Sequence, residues 1–357
     1  MAKKFVPFNE LSMYPNVLVV DCFHPDGLVL SHWRGAPKIE EVHDDTSTGI
    51  VLNALEQQLP ELEQYQYVTN NHFDIDGFLG VWSLCNPSLA LQHQQLLRKM
   101  ALVGDFRELT LETAEDHLAL QLVCWINYVE KERFYAPFAS YAPGKNEIRL
   151  CISKYQFFLQ QFEKALKNPE DYKHDWQEEY EQVLAGMEAL RQPSSHIELR
   201  ENIRLLIVQT PEPLHYYALF SQSAGADMVL SLYNNQRYEL EYKYTTWIDC
   251  TRKCFPRIDL QPLANQLNRQ EDSPYLWRSD KITDTGPILR LTEEKLSKEQ
   301  RFDHPLNRTI YSSSIAPDEL IKIVRRYFEQ VYQEVPLKSR WKWEEIRQLN
   351  QNLQMKN

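Results

Sequence analysis

Tyr65-Gln66-Tyr67-Val68-Thr69-Asn70-Asn71-His72-Phe73-Asp74-Ile75-Asp76-Gly77 decides both the fold class and where chemistry is expected. Tyr65–Thr69 has the β-branched and aromatic content of a strand. A helix follows the loop, through Leu79, Val81, Trp82 and Leu84. Between them His72, Asp74 and Asp76 alternate, and alternate side chains of an extended segment point the same way. Three ligand-type groups are thus expected to converge beyond the end of a buried strand, with Gly77 allowing the tight turn into the helix. The competing reading is a polar strand-to-helix turn in which Asp76 caps the helix.

Working outward, residues 17–22 and 28–31 read as further strands, separated by a turn at Pro25-Asp26-Gly27. Asp44-Asp45-Thr46-Ser47-Thr48 offers N-caps for a helix whose apolar face is Ile50, Leu52, Leu55 and Leu59. More helices are expected over 88–102, 111–131, 153–167 and 172–191. Strands alternating with helices predict an α/β fold, a mainly parallel sheet flanked by helices. In such a sheet the crevice beyond the carboxyl ends of the strands is where ligands bind, and helix N-termini there favour phosphate. The expected organisation is an α/β domain over 1–144, a helical connector over 145–195 and a smaller α+β domain over 196–357 with a helical tail. Gln192-Pro193-Ser194-Ser195 is the boundary signal. In the last part, 203–209 and 288–291 read as strands. A hairpin of 228–233 and 238–247 turns at Asn234-Asn235-Gln236, and helices are expected over 260–267, 317–333 and 341–353.

Composition limits the function classes. Hydrophobic residues make up 43% and charged residues 25% of 357 residues, which fits ordered globular domains rather than a disordered chain. The net charge of -11 disfavours a nucleic-acid partner but remains compatible with a small phosphorylated substrate held through metal. No apolar run approaches a membrane span, and Met1–Pro7 lacks the apolar core of a signal peptide, so the expected location is cytoplasmic. The six cysteines form no Cys-x-x-Cys and read as buried thiols. Neither a phosphate-binding glycine loop nor a nucleophile elbow occurs. A calcium loop beginning at His72 would need an acid there and glutamate at Ser83, so it is rejected. Mixed imidazole and carboxylate donors fit manganese, zinc or iron better than calcium.

The loop His72-Phe73-Asp74-Ile75-Asp76-Gly77 resembles the first motif of the DHH phosphoesterase superfamily, which includes the RecJ-like nucleases. The resemblance implies that His72, Asp74 and Asp76 bind manganese, in a two-metal site with ions about 4 Å apart. Leu30-Ser31-His32-Trp33-Arg34-Gly35 with Asp44-Asp45-Thr46-Ser47-Thr48 is similar to the family's DHH segment, though one histidine is present and Ser31 replaces the aspartate. It also precedes the first motif, as in a permuted order. By the resemblance His32, Asp44 or Asp45, and Asp105 complete the metal set, with His117 ranked below Asp105. Tyr238–Trp247 and Ile258–Leu267 look like parts of the DHH-associated domain. Its Gly-Gly-Gly-His loop is replaced by Asn268-Arg269-Gln270-Glu271-Asp272. Arg34 and Arg252 are the expected phosphate contacts. The function implied is hydrolysis of a phosphate ester or phosphodiester by metal-activated water. The alternative, suggested by the missing histidine and glycine loop, is a non-catalytic DHH-like protein that binds a ligand or partner.

Overall fold

A computed structural model describes residues 2–135, 147–293 and 296–356. The fold is α/β, and the chain divides into two compact units, residues 1–181 and 182–357, each with its own sheet.

The first unit contains β1 (Lys4–Phe5), β2 (Val17–Val20), β3 (Leu28–Leu30) and β4 (Tyr67–Thr69), all parallel, in the order β1-β4-β2-β3. Every residue of β2 is buried, as expected of a parallel strand covered on both faces. The strand expected over 17–22 ends at Val20, and β1 is too short to carry a sequence pattern. Residues 21–27 alone return the chain from β2 to the start of β3. Gly27 makes this possible, because a Cβ there would lie 2.4 Å from Val19 Cγ2 and 3.0 Å from the Val17 carbonyl oxygen.

From β3 the chain passes through α1 (Ser47–Glu56) to β4, on the other side of β2, and then into α2 (Ile75–Cys85). The direction of winding reverses at β2, which makes the carboxyl ends of β2 and β4 the switch point of the sheet. Helices α3 (Pro87–Gln92), α4 (Gln94–Phe106), α5 (Ala114–Val129), α6 (Glu147–Lys167) and α7 (Lys173–Arg191) follow. The single helix expected over 88–102 is broken at His93, whose φ/ψ of -109/20 is not helical. A Cβ at Gly80 would lie 2.7 Å from Val20 Cγ1, so α2 packs closely on β2. Gly104 lies against Ile75 in the same way, at 2.6 Å, which brings the end of α4 to the start of α2. The helices expected as a connector are α6 and α7, and α7 runs across the 181/182 division. The boundary expected at 144/145 lies outside the described residues.

In the second unit β5 (His196–Arg200), β6 (Leu205–Thr210), β7 (Met228–Tyr233), β8 (Arg237–Tyr242), β9 (Leu276–Ser279) and β10 (Ile288–Thr292) form a sheet of order β5-β6-β7-β8-β10-β9. Only β6 and β7 pair in parallel. The helices are α8 (Tyr216–Phe220), α9 (Gln261–Asn268), α10 (Lys298–Phe302), α11 (Pro317–Tyr332) and α12 (Trp343–Lys356). Alternation sorts the strands. Leu230, Leu240 and Leu289 face a core with Leu263, Val324 and Phe328, while Ser231, Glu239 and Arg290 are buried on the other face. The second strand of the hairpin stops at Tyr242, and a 3₁₀ turn over Tyr244–Thr246 replaces the extension expected to Trp247. Among the described residues no helix is long and apolar enough to cross a membrane.

Candidate metal centre

Three strand ends supply the cluster. Immediately after β2, Asp21 takes a left-handed backbone conformation, φ 52°, which aspartate tolerates better than most residues, and its N–H donates to the Leu30 carbonyl at 3.1 Å. After β3 come Ser31 and His32, both buried. After β4, residues 70–74 lead into α2. Asp74 is the N-cap of α2, its Oδ1 accepting from Gly77 N at 2.8 Å, and Asp76 lies in the first turn.

Asp21 stands between two histidines. Its Oδ1 is 3.1 Å from His32 Nε2, and its Oδ2 is 3.3 Å from His72 Nε2. His32 Nδ1 is 3.8 Å from Asp76 Oδ2, and His72 Nε2 is 2.8 Å from Asp74 Oδ2. The result is two triads, Asp21–His32–Asp76 and Asp21–His72–Asp74, each offering ligand atoms within 4.8 Å of one another. They share Asp21. Asp105, at the end of α4, adds Oδ2 at 3.5 Å from His32 Nε2.

The surrounding contacts orient these groups. His32 Nδ1 meets the Asp45 carbonyl at 2.7 Å. A carbonyl only accepts, so Nδ1 carries hydrogen and Nε2 faces Asp21 and Asp105, while Asp76 lies on the Nδ1 side. His72 repeats the pattern, with Nδ1 at 2.8 Å from Asn71 Oδ1. A ring nitrogen committed to an oxygen while the other faces the site is the arrangement of metal-ligating histidines. Ser47 Oγ donates to Asp21 Oδ1 at 2.7 Å and accepts from His32 N at 3.2 Å. The first two amides of α1, Ser47 N and Thr48 N, donate to Asp76 Oδ2 and Oδ1 at 2.7 and 2.8 Å. The helix terminus therefore holds that carboxylate by hydrogen bonds and by its dipole.

Burial and mutual charge set the protonation of the cluster. Burial would raise the Asp21 carboxyl, but the His32 and His72 imidazoles facing it outweigh burial and hold it well below the usual range. Burial would lower His32, yet Asp21 carries it up to about 9. His72 is likewise raised against the effect of burial by Asp74 and Asp21. Burial lifts Asp76 to about 7, and burial with the neighbouring carboxylates Asp76, Asp74 and Asp21 raises Asp105.

The donor set fits a divalent cation. Ligand atoms held about 2.1 Å from one ion stand about 3 Å apart, the range of the closest contacts in the cluster. Asp21 Oδ2 and Asp105 Oδ2 are buried and accept no well-formed hydrogen bond among the described residues. Carboxylates outnumber imidazoles, and borderline metals suit the mixture.

The structure brings His32, His72, Asp74, Asp76 and Asp105 together. The other candidates are placed as follows. Asp44 joins neither triad: Oδ1 accepts from Thr46 N at 3.0 Å and Thr46 Oγ1 at 3.1 Å, and Oδ2 from Arg98 at 3.1 Å. It braces the start of α1. Asp45 reaches His32 through its backbone carbonyl. His117 bonds to the Tyr180 hydroxyl at 2.7 Å. Arg34 is buried beyond β3, and Arg252 belongs to the second unit. The capping alternative is also met, but by Asp74 rather than Asp76.

The chain belongs to DUF6687, a family of unknown function. The family's model matches residues 1–339, so the whole DUF6687 cluster lies inside the matched stretch. No curated protein and no solved structure matches.

Proposed function

We propose that this DUF6687 protein is a metal-dependent phosphoesterase that hydrolyses a phosphate ester or phosphodiester at a pair of divalent cations, with manganese the best match. The observation that carries the reading is Asp21, whose two carboxylate oxygens face the two histidines and join two triads into one centre. His32 and Asp76 would hold one ion and His72 and Asp74 the other, with Asp105 beside His32. Such ions lower the pKa of water and neutralise charge on phosphate. Access is from the His72 side: the side chains of His72 and Asp74 are 24% and 37% exposed, against 0% and 1% for His32 and Asp21. The resemblance of residues 72–77 to the first DHH motif supports the same chemistry.

One observation favours the non-catalytic alternative. Where the DHH-associated domain would carry its glycine loop, Glu271 is tied down by Ser313 Oγ, Ser314 N, Ser314 Oγ and Trp277 Nε1 at 2.6–2.9 Å. Hydrolysis of bis(p-nitrophenyl) phosphate with added manganese separates the readings. Turnover by the wild type that is lost in the Asp74→Ala/Asp76→Ala variant supports the enzyme. Manganese bound without turnover of mono- or diesters supports the non-catalytic reading, and no manganese bound overturns the metal-dependent enzyme.

A further inference from the structure

Asn70 follows β4 directly and is 1% exposed. Its Oδ1 accepts from Asn71 N at 2.6 Å and from His72 N at 3.3 Å. Two backbone donors on one atom fix which end of the amide is oxygen, so Nδ2 is the opposite end. That nitrogen is buried and has no hydrogen-bond partner among the described residues. Its surroundings are defined by Gly77. The point where a Cβ would stand on Gly77 lies 2.1 Å from Asn70 Nδ2, 3.0 Å from Asp74 Oδ1 and 3.1 Å from Asp21 Oδ2. The carboxamide thus packs on the glycine at the meeting of the two triads.

Leaving a buried donor unmatched is costly, and native structures rarely do it without a use. Neighbouring donors are committed: Gly77 N to Asp74, and Ser47 N and Thr48 N to Asp76. A neutral N–H cannot serve a cation, but it suits an anionic oxygen brought in by one. We infer that Asn70 Nδ2 donates a hydrogen bond to a phosphoryl oxygen of the substrate. The inference rests on the phosphoesterase reading of the same centre and adds a substrate contact that no metal ligand supplies.

The Asn70→Asp variant keeps Oδ1, and with it both backbone hydrogen bonds, while removing the donor. Asn70→Ala removes the donor without adding charge. Inorganic phosphate is titrated into each full-length, manganese-loaded protein by calorimetry, and kcat and KM for bis(p-nitrophenyl) phosphate are measured beside metal content and melting temperature. The expected result is wild-type manganese content in both variants and the wild-type melting temperature in Asn70→Asp. Phosphate affinity and kcat/KM should fall by about tenfold to a hundredfold in both, the range for a hydrogen bond to a charged group. Unchanged phosphate affinity in either variant overturns the inference. A loss confined to Asn70→Asp also overturns it, since that marks charge repulsion rather than a missing donor. A wild type that binds no manganese overturns the inference together with the reading beneath it, whereas a wild type that binds manganese and phosphate while its variants match it leaves that reading standing.

Discussion

In the second unit, Arg308 meets Glu239 at 2.5 Å, Arg290 meets Asp280 at 2.9 Å, and Arg301 meets Asp284 at 2.7 Å. In the first unit, Asp21, Asp74, Asp76 and Asp105 share two imidazoles, each with its Nδ1 held by an oxygen acceptor. Arg308–Glu239 and Arg290–Asp280 are buried as the charges of the first unit are, but a guanidinium carries several donors in a planar fork and saturates the carboxylates it meets. A histidine with one nitrogen committed has a single atom left to offer. Asp21 Oδ2 and Asp105 Oδ2 therefore accept no well-formed hydrogen bond among the described residues. The difference teaches how to separate architecture from a candidate site among buried charges: a guanidinium-closed network is complete within the protein, while an excess of carboxylates around oriented imidazoles suits a cation.

The sharpest break in that comparison is functional. His32→Ala is expected to lower manganese-dependent phosphodiester hydrolysis by about a thousandfold or more while Arg308→Ala leaves the metal content of the protein unchanged. Next comes stability. Arg308→Ala strands the buried Glu239 carboxylate and is expected to cost about 3–5 kcal/mol in denaturant unfolding of the second unit. Gly77→Ala forces a methyl group against Asn70, Asp74 and Asp21, with an expected cost of about 1–3 kcal/mol and weaker manganese binding in the same preparation.

The smallest effects are in pH. His32 is raised from 6.5 to about 9 in the folded protein, so its ion pair stabilises the metal-free fold fully below 6.5 and that contribution is lost as pH rises through about 9. Metal binds the neutral ring, so manganese affinity should rise with pH, by up to about tenfold per unit for each proton released. Melting curves with and without chelator check both statements. Glu271 in the second unit behaves oppositely. Burial would raise it, but hydrogen bonds from Ser313, Ser314 and Trp277 outweigh burial and hold it at about 2. Its contribution is present above 4.5 and lost as pH falls toward 2.

Much of the centre was legible because it is local. The hairpin of β7 and β8 turns at the expected asparagines, and His72, Asp74 and Asp76 do reach the cluster, but not as an extended run: the helix begins at Ile75, so Asp76 and Gly77 lie in its first turn, and Asp74 faces His72 while Asp76 lies near His32. What escaped depends on register and long-range pairing. Extending the first strand to 22 placed Asp21 within the sheet, whereas it is the residue at which that strand ends. An uninterrupted apolar run closing on an aspartate was the available signal. Asp44 and Asp45 looked like ligands because acids before a helix serve capping and metal binding equally well. Only the fold reveals that Asp44 turns to Thr46 and Arg98. The edge strands β5 and β9 take their identity from their neighbours, with only one residue between them fully buried.

The central claim is that Asp21 joins two metal positions, and metal content tests it most directly. Wild type and Asp21→Ala are loaded with manganese, desalted and assayed by elemental analysis, with circular dichroism confirming that both are folded. About two manganese ions per wild-type chain are expected, with the loss of both in Asp21→Ala, because each triad includes that residue. A folded Asp21→Ala protein that retains the wild-type manganese content would contradict the claim.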